Sequence, residues 1–168
     1  MSKFDEPAFE DYLNEDDSEA YDDIEVGKKI AELANEQLYG VLSTQTEGQP
    51  YGSMIGFAFT DDLKYAVFAT PKATRKYHNL IKCKNVALVV NDRDKYPDDL
   101  MKIGAFTATG KADEINGPKI DSNWTMILLK KHPYLRDFLK SSTTALFRIK
   151  IIRFFYVSSF QEVREWKP

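Results

Sequence analysis

A five-residue turn between two β-type segments is the feature that most restricts the fold. Residues 51–60 (YGSMIGFAFT) and 65–70 (YAVFAT) are rich in aromatic and aliphatic residues, and TDDLK separates them. Parallel neighbours need a crossover connection of about a dozen residues or more, which this turn cannot supply. The two segments are therefore predicted to be antiparallel strands, and a doubly wound parallel sheet is disfavoured.

The rest of the chain supplies more strands and a few helices. Further strands are predicted at 38–45, 86–91, 103–115, 144–158 and 161–166, and helices at 24–37, 73–82 and 119–139. The last helix is expected to break at His132, because a residue before proline disfavours helical geometry, and His132 is interpreted as structural. Six or seven mostly sequential strands predict a mainly β (α+β) protein, a closed antiparallel barrel with helices packed outside it.

The two faces of the second strand differ in bulk. One face carries Tyr51, Ser53, Ile55, Phe57 and Phe59, and the other carries Gly52, Met54, Gly56, Ala58 and Thr60. Glycine weakens a strand interior, so its presence indicates that something needs the space. Close approach of a ligand or another backbone is one explanation, and a barrel corner is the other.

Composition excludes several classes of protein. A chain of 168 residues with 43% hydrophobic content can form one globular domain. It has no apolar run of about 18 residues, and its acidic start is unlike a signal peptide, so a cytoplasmic location is the default expectation. One cysteine and two histidines argue against a disulfide, a zinc–thiolate cluster or a multi-histidine site, so no metal is predicted.

Charge is distributed unevenly along the chain. Residues 1–25 contain eleven acidic residues and one basic residue, whereas the remainder has 26 − 11 = 15 acidic and 23 − 1 = 22 basic residues. Residues 1–23 are therefore interpreted as an acidic, partly flexible arm and residues 24–168 as the folded domain. A basic body suits an anionic ligand or nucleic acid. A solvated tail is the favoured interpretation of the arm, and an acidic mimic that covers the basic site is the alternative.

The loop before the second helix has the composition of a phosphate site. Thr70, Thr74, Arg75 and Lys76 lie within seven residues, where the third strand ends and the helix begins. Hydroxyl groups, two cations and the free N–H groups of a helix N-terminus together suit a phosphate. A solvated basic turn would have the same composition, so both interpretations stay open here.

Common catalytic motifs are absent from the sequence. Residues 104–111 (GAFTATGK) resemble a P-loop, but five residues separate the glycines where four are needed, and the segment reads as a strand. The acidic pairs Asp61–Asp62 and Asp98–Asp99 are interpreted as turn residues. Arg148 and Lys150 alternate with apolar residues on one strand face, which is a weak form of the pattern of single-strand nucleic-acid barrels. A sheet edge whose charged side chains cover apolar surface with their aliphatic stems explains the pattern equally well.

The order of the segments resembles the pyridoxamine 5′-phosphate oxidase-like superfamily of FMN-binding split barrels. The similarity lies in GVLSTQTEGQPYGSMIGFAF, YAVFATPKATRKYHNLIKCKNVALVV and FTATGKADEI, with KHPYLRDFL and ALFRIKIIRFFYVSSFQEV towards the end. The resemblance extends over residues 37–166. It implies a six- or seven-stranded antiparallel split β-barrel that binds FMN, ahead of FAD, haem or a deazaflavin, at the two-fold interface of a homodimer.

The resemblance also assigns cofactor-binding residues. It places the FMN phosphate on Thr70, Thr74, Arg75 and Lys76, and the ring and ribityl chain along the second strand. The residues it implies beside the ring, at the amide-bearing helix position and against the partner's flavin are Gly52, Ser53, Met54, Ile55, Ala69, Asn79, Asn91, Arg93 and Phe160.

The activity implied is a redox reaction on an unknown small substrate, with no catalytic residue assigned. The chain ends in VREWKP and has no basic motif for a substrate phosphate beyond Arg164, which argues against vitamin B6 synthesis. One alternative is a flavin- or haem-binding protein without turnover. The other is a single-stranded nucleic-acid-binding barrel, although nucleic acid and membrane are not the expected partners.

Overall fold

A computed structural model describes residues 23–117, 122–158 and 163–168. Its helices and strands are, in chain order, α1 (Asp23–Glu36), β1 (Tyr39–Thr46), β2 (Gln49–Phe59), β3 (Tyr65–Pro71), α2 (Arg75–Lys82), β4 (Asn85–Asn91), β5 (Ala105–Glu114), α3 (Asn123–Lys131), α4 (Arg136–Lys140), β6 (Thr144–Val157) and β7 (Val163–Trp166). Short 3₁₀ turns occupy Leu100–Lys102 and Pro133–Leu135. No helix within these ranges is long and apolar enough to cross a bilayer.

The strands form a closed antiparallel barrel. Their order is β3-β2-β1-β4-β5-β6, and a further ladder between β3 and β6 closes the ring, while β7 extends the sheet from β6. The predicted pairing of β2 and β3 is present: Phe57 faces Phe68, and Phe59 faces Ala66. The predicted mainly β barrel with flanking helices is therefore confirmed. The expected acidic arm lies outside the described residues, apart from Asp23, which begins α1.

The barrel wall is split between β2 and β3. Their ladder covers three residues of each strand, Phe57–Phe59 in β2 and Ala66–Phe68 in β3. The earlier part of β2, from residue 49 to residue 56, pairs with β1 on its other edge. The end of β3, residues 69–71, pairs with β6 instead. One edge of residues 49–56 therefore has no strand partner in the ladders, and the loop that leads into α2 follows directly from the end of β3.

Two apolar clusters stabilise this arrangement. Phenylalanine rings and aliphatic side chains fill the barrel, and buried residues of α1 contribute to the same cluster, among them Val26 and Ile30. A second cluster lies on the outer face, where Leu128 of α3 and Leu139 of α4 pack with Leu146 of β6. Leu146 is thus covered by helices of its own chain, which explains part of the apolar character of both faces of β6.

The breaks that the sequence predicts have clear local causes. α3 ends at Lys131, and the backbone N–H of His132 donates to Leu128 O before Pro133 begins a 3₁₀ turn. The predicted start of that helix, residues 119–121, lies outside the described residues. At the β2–β3 turn, Asp62 accepts hydrogen bonds from the Thr60 hydroxyl and the Lys64 N–H, so Asp62 is the turn residue that the sequence indicates.

Candidate functional site

The loop between β3 and α2 is fixed by a network of threonine hydroxyls. Thr74 caps α2: its Oγ1 accepts from the Tyr77 N–H at 3.4 Å and donates to Pro71 O at 2.8 Å. The hydroxyl of Thr70, which is fully buried, lies 3.1 Å from the Thr74 hydroxyl. Thr70 and Thr74 therefore hold the loop in a defined shape, with the first N–H groups of α2 at its end.

Both cations at the start of α2 lie close to β2 or partly within the protein. The Arg75 guanidinium lies 5.6 Å from the centre of the Tyr51 ring, so it spans the split towards β2. Lys76 is half-buried, and burial lowers its pKa. Neither side chain makes an ion pair with a carboxylate of the described residues. A dinegative group here would stabilise the charged form of Lys76.

The amide of Asn79 holds α2 onto β1. Its Nδ2 donates to Thr44 Oγ1 at 3.0 Å, and its Oδ1 accepts from Thr46 Oγ1 at 2.9 Å. An amide nitrogen carries two hydrogens, so at most one N–H of Asn79 is available to a ligand. The structure thus gives Asn79 a supporting role in the candidate site, through partners on β1 that the sequence does not indicate.

The four predicted contact residues of β2 alternate across the barrel wall. Gly52 and Met54 are exposed on the outer face, whereas Ile55 is buried in the barrel core and Ser53 lies on the same face as Ile55. The Ser53 hydroxyl oxygen is buried and has no hydrogen-bond partner in the described part of the chain. A buried polar atom without a partner costs about 1–3 kcal/mol, so a ligand that bonds Ser53 would remove a real penalty.

The two glycines of β2 have different structural explanations. A Cβ on Gly56 would lie 3.3 Å from Cε1 of His132, whereas one on Gly52 would meet Val41 Cγ1 at 3.4 Å. Close packing of another side chain therefore explains Gly56. Space for a ligand remains an explanation for Gly52 alone.

The other predicted contacts fall into two places. The side chain of Ala69 packs with the outer apolar cluster, which leaves its backbone for the split. Asn91 and Arg93 line a cavity of about 360 Å³ together with Met54. Asn91 Oδ1 accepts from the Arg93 N–H at 3.2 Å. This cavity is on the outer face of the sheet, so one chain does not bring Asn91 and Arg93 together with Ser53. Phe160 lies outside the described residues.

A buried histidine supports β2 behind the candidate site. His132 is 0% exposed, and its Nε2 lies 2.9 Å from Phe57 O, so Nε2 must carry the hydrogen because a carbonyl can only accept. Burial lowers the pKa of His132 and favours the neutral ring, whose Nδ1 then accepts from the Tyr134 hydroxyl at 3.0 Å. The structural interpretation of His132 agrees with these contacts. Its partner 75 residues away could not be found from sequence.

Sequence and structure comparisons identify relatives of this chain. The family model for pyridoxamine 5′-phosphate oxidase matches residues 26–158. No curated protein sequence matches significantly. Among solved structures, a heme binding protein from Mycobacterium smegmatis superposes with a TM-score of 0.73 at 16% identity, over 88% of this chain and 58% of that one. This chain therefore spans little more than half of that protein.

Two other solved structures match most of their own length. General Stress Protein 26 from Bacillus anthracis has a TM-score of 0.61 at 18% identity, over 85% of this chain and 98% of that one. A FAD-binding protein from Mesorhizobium loti has a TM-score of 0.60 at 14% identity, over 76% and 90%. The TM-scores of these structures support the same fold for this chain. The family model covers most of the chain. The chain therefore belongs to the pyridoxamine 5′-phosphate oxidase-like split-barrel superfamily.

Proposed function

We propose that this chain is an FMN-binding flavoprotein. The observation that supports this most directly is the split between β2 and β3: an edge of β2 free of strand pairing lies beside a capped, dicationic helix start. A backbone edge offers N–H and C=O groups to the polar rim of a flat ring, and the helix start offers cations and N–H groups to a phosphate.

The residues around the split fit the chemical groups of FMN. Arg75, Lys76 and the first N–H groups of α2 would hold the phosphate, while Thr70 and Thr74 keep the loop in shape. The Ser53 hydroxyl, which lacks a partner among the described residues, would bond the ribityl chain or the ring. Met54 and Gly52, on the opposite face of β2, would contribute backbone groups to that flavin. The Met54 side chain is directed instead to the cavity that Asn91 and Arg93 line.

The protein's part in catalysis would be binding and orientation. When bound, the flavin supplies hydride or electron transfer. No side chain of the described residues stands out as an acid or base beside the split, so we assign none. The proposed activity is oxidation or reduction of a small substrate, and a carrier that binds flavin without turnover is the alternative within the same site.

We also propose that the chain forms a homodimer with the flavin at the interface. Apolar side chains on the outer face of the barrel are exposed, among them Met54 (56%) and Tyr39 (51%), beside the cavity that Asn91 and Arg93 line. In a two-fold dimer, Asn91 and Arg93 of one chain would approach the flavin of the other. This arrangement gives Asn91 and Arg93 a role that the single chain does not provide.

The proposal is tested by comparing FMN with riboflavin, which lacks the phosphate. We expect Arg75→Ala with Lys76→Ala to weaken FMN binding at least about 100-fold, since charge-assisted hydrogen bonds contribute about 1.5–3 kcal/mol each. Riboflavin affinity should change little. Quenching of flavin fluorescence measures both constants.

The matched control uses Lys82, the last residue of α2, and Lys84, which follows the end of that helix. Lys82→Ala with Lys84→Ala removes the same charge and should leave FMN binding unchanged. Equal FMN affinity in the wild type and the Arg75/Lys76 variant would contradict the phosphate assignment.

Haem is the alternative cofactor, because the structurally similar M. smegmatis protein is a heme binding protein. The chain has two histidines. Both ring nitrogens of His132 are hydrogen-bonded, whereas His78 is exposed on α2. A Soret band that is lost in His78→Ala, together with no flavin binding, would show that the chain binds haem and not FMN.

A further inference from the structure

The outer face of the barrel carries two opposed lysines that the flavin proposal does not use. Four strands place Asn85, Lys111, Lys150 and Tyr65 side by side in register, on β4, β5, β6 and β3. The row is about 14 Å long, since neighbouring strands lie about 4.8 Å apart. Lys111 and Lys150 are directly opposite each other, and both are exposed.

Like charges directly opposite each other on antiparallel strands destabilise a sheet. Lys111 and Lys150 make no ion pair with any described residue, and neither does Arg148, two residues from Lys150 on the same face. Asp113, opposite Arg148, is bonded to Lys84. Five side chains of this surface are charged, and their net charge is 4 − 1 = +3: Lys84, Lys111, Arg148, Lys150 and Asp113. This surface, which we call the lysine row, therefore lacks a compensating anion.

Aromatic and aliphatic groups border the lysine row. The Arg148 guanidinium lies 5.4 Å from the centre of the Trp124 ring and 6.0 Å from that of Tyr65. Ile152, two residues beyond Lys150, is 47% exposed. A partner that combines carboxylates with aromatic side chains would match both parts of this surface.

The first residues of this chain have that composition. Residues 1–22 contain nine acidic residues and Lys3, a net charge of 1 − 9 = −8, together with Phe4, Phe9, Tyr12 and Tyr21. Residue 23 begins α1, and Asp23 lines a groove together with Leu63. Lys64 and Tyr65 follow Leu63 directly, so the segment starts beside one end of the row. An extended chain of 22 residues reaches about 70 Å, several times the length of the row.

We propose that residues 1–22 bind the lysine row of their own chain. Asp61 and Asp62 line the same groove as Asp23 and repel acidic residues at the exit point, whereas the cations beyond Tyr65 attract them. The contact neutralises the repulsion between Lys111 and Lys150 and covers Ile152. It also keeps the row from binding other polyanions, such as single-stranded nucleic acid. This inference is independent of the flavin proposal, since it involves none of the residues assigned to FMN.

Paramagnetic relaxation in the full-length protein tests the proposal. Cys83 is the single cysteine, so a Cys83→Ser, Ser18→Cys chain carries one nitroxide within the acidic segment. We expect amide signals of Lys111, Lys150 and their neighbours to lose more than half of their intensity in about 20 mM salt. The signals should recover in about 0.5 M salt, where the Debye length falls to about 4 Å.

Charge reversal provides the matched variants. Lys111→Glu with Lys150→Glu should abolish the signal loss, while Lys102→Glu with Lys140→Glu makes the same change in net charge at exposed sites elsewhere and should preserve it. Signal loss centred on Arg75 and Lys76, or none at all, would overturn the proposal.

Two other occupants of the lysine row are distinguished in the same experiment. Signal loss that appears only when spin-labelled and isotope-labelled chains are mixed would assign the row to the segment of a second copy. Tight binding of an oligothymidylate to the row at 0.15 M salt, without any signal loss from the nitroxide, would assign it to nucleic acid. Either result contradicts the intrachain contact.

Discussion

The side chain of Lys131 lies between α1 and β2. Its Nζ donates to Ala34 O at 2.6 Å, near the end of α1, and lies 4.1 Å from the centre of the Phe57 ring. Burial lowers the pKa of Lys131 from 10.5 to about 8. The amine thus serves as a cap for α1 while part of its charge is removed from water.

The lowered pKa of Lys131 makes stability depend on pH in the alkaline range. Below about pH 8 the amine is protonated in both states, and the folded state bears the cost of burying the charge. Between pH 8 and 10.5 the folded state loses the proton first, so stability should rise with pH relative to Lys131→Met, which cannot titrate.

Urea unfolding of the wild type and of Lys131→Met at pH 7, 8, 9 and 10 measures this difference. Other titrating groups are common to both proteins and cancel. A difference in unfolding free energy that stays constant, or that falls with pH, would contradict the assigned shift.

Residue-level prediction from sequence worked where the cause is local. The helix start beside Thr74, Arg75 and Lys76 was predicted because these residues follow one another in sequence, and the cap on α2 is local too. That this loop binds a phosphate stays a prediction. The partners of Asn79 and His132 lie 33 to 75 residues away, and only the folded barrel brings them together. The contacts of Asn91 and Arg93 with a partner's flavin stay predictions, because within one chain those residues line a cavity on the outer face of the sheet.

At the level of elements, turn lengths and alternation predicted the antiparallel strands well. The five-residue connection after β2 permits only a hairpin, and the structure has one. What sequence could not predict is where each ladder stops. The split at residues 49–56 and the register shift at Thr109/Gly110 arise from how β3 and β5 pair with β6.

The register shift in the β5–β6 ladder gives a prediction for Gly110. A Cβ on this residue would lie 2.4 Å from the carbonyl oxygen of Lys150, a backbone atom that cannot rotate away. We expect Gly110→Ala to destabilise the protein by at least about 2–3 kcal/mol, because a strand would have to move.

Gly52→Ala is the matched control in a strand of the same sheet. Its Cβ meets one flexible side chain at 3.4 Å, so its effect should be within about 0.5 kcal/mol of zero. Thermal unfolding of both variants gives the comparison. Equal melting temperatures would mean that the bulge relaxes without strain.

At the scale of the whole molecule, the barrel is complete in one chain, but the proposed flavin site is not. Asn91 and Arg93 can contribute to it only from a partner. We therefore expect a particle of about twice 19.3 kDa in light scattering, and Met54→Glu, which puts a charge into the proposed interface, should shift it to the monomer mass.

Lys102→Glu is an exposed substitution elsewhere that should leave the dimer intact. FMN affinity should fall together with dimerisation in Met54→Glu. A monomer that binds FMN as tightly as the wild type would show that the site is built within one chain, and the two-fold arrangement would be wrong.

The contact between the last strand and the first helix restricts which sequences this fold accepts. A Cβ on Gly27 of α1 would lie 2.8 Å from an atom of the Trp166 ring, so the indole occupies the volume of a side chain at position 27. Any bulkier residue at position 27 requires a smaller one at position 166. These two positions, 139 apart in the chain, should therefore change together during divergence, and homologues that differ at one should differ at the other.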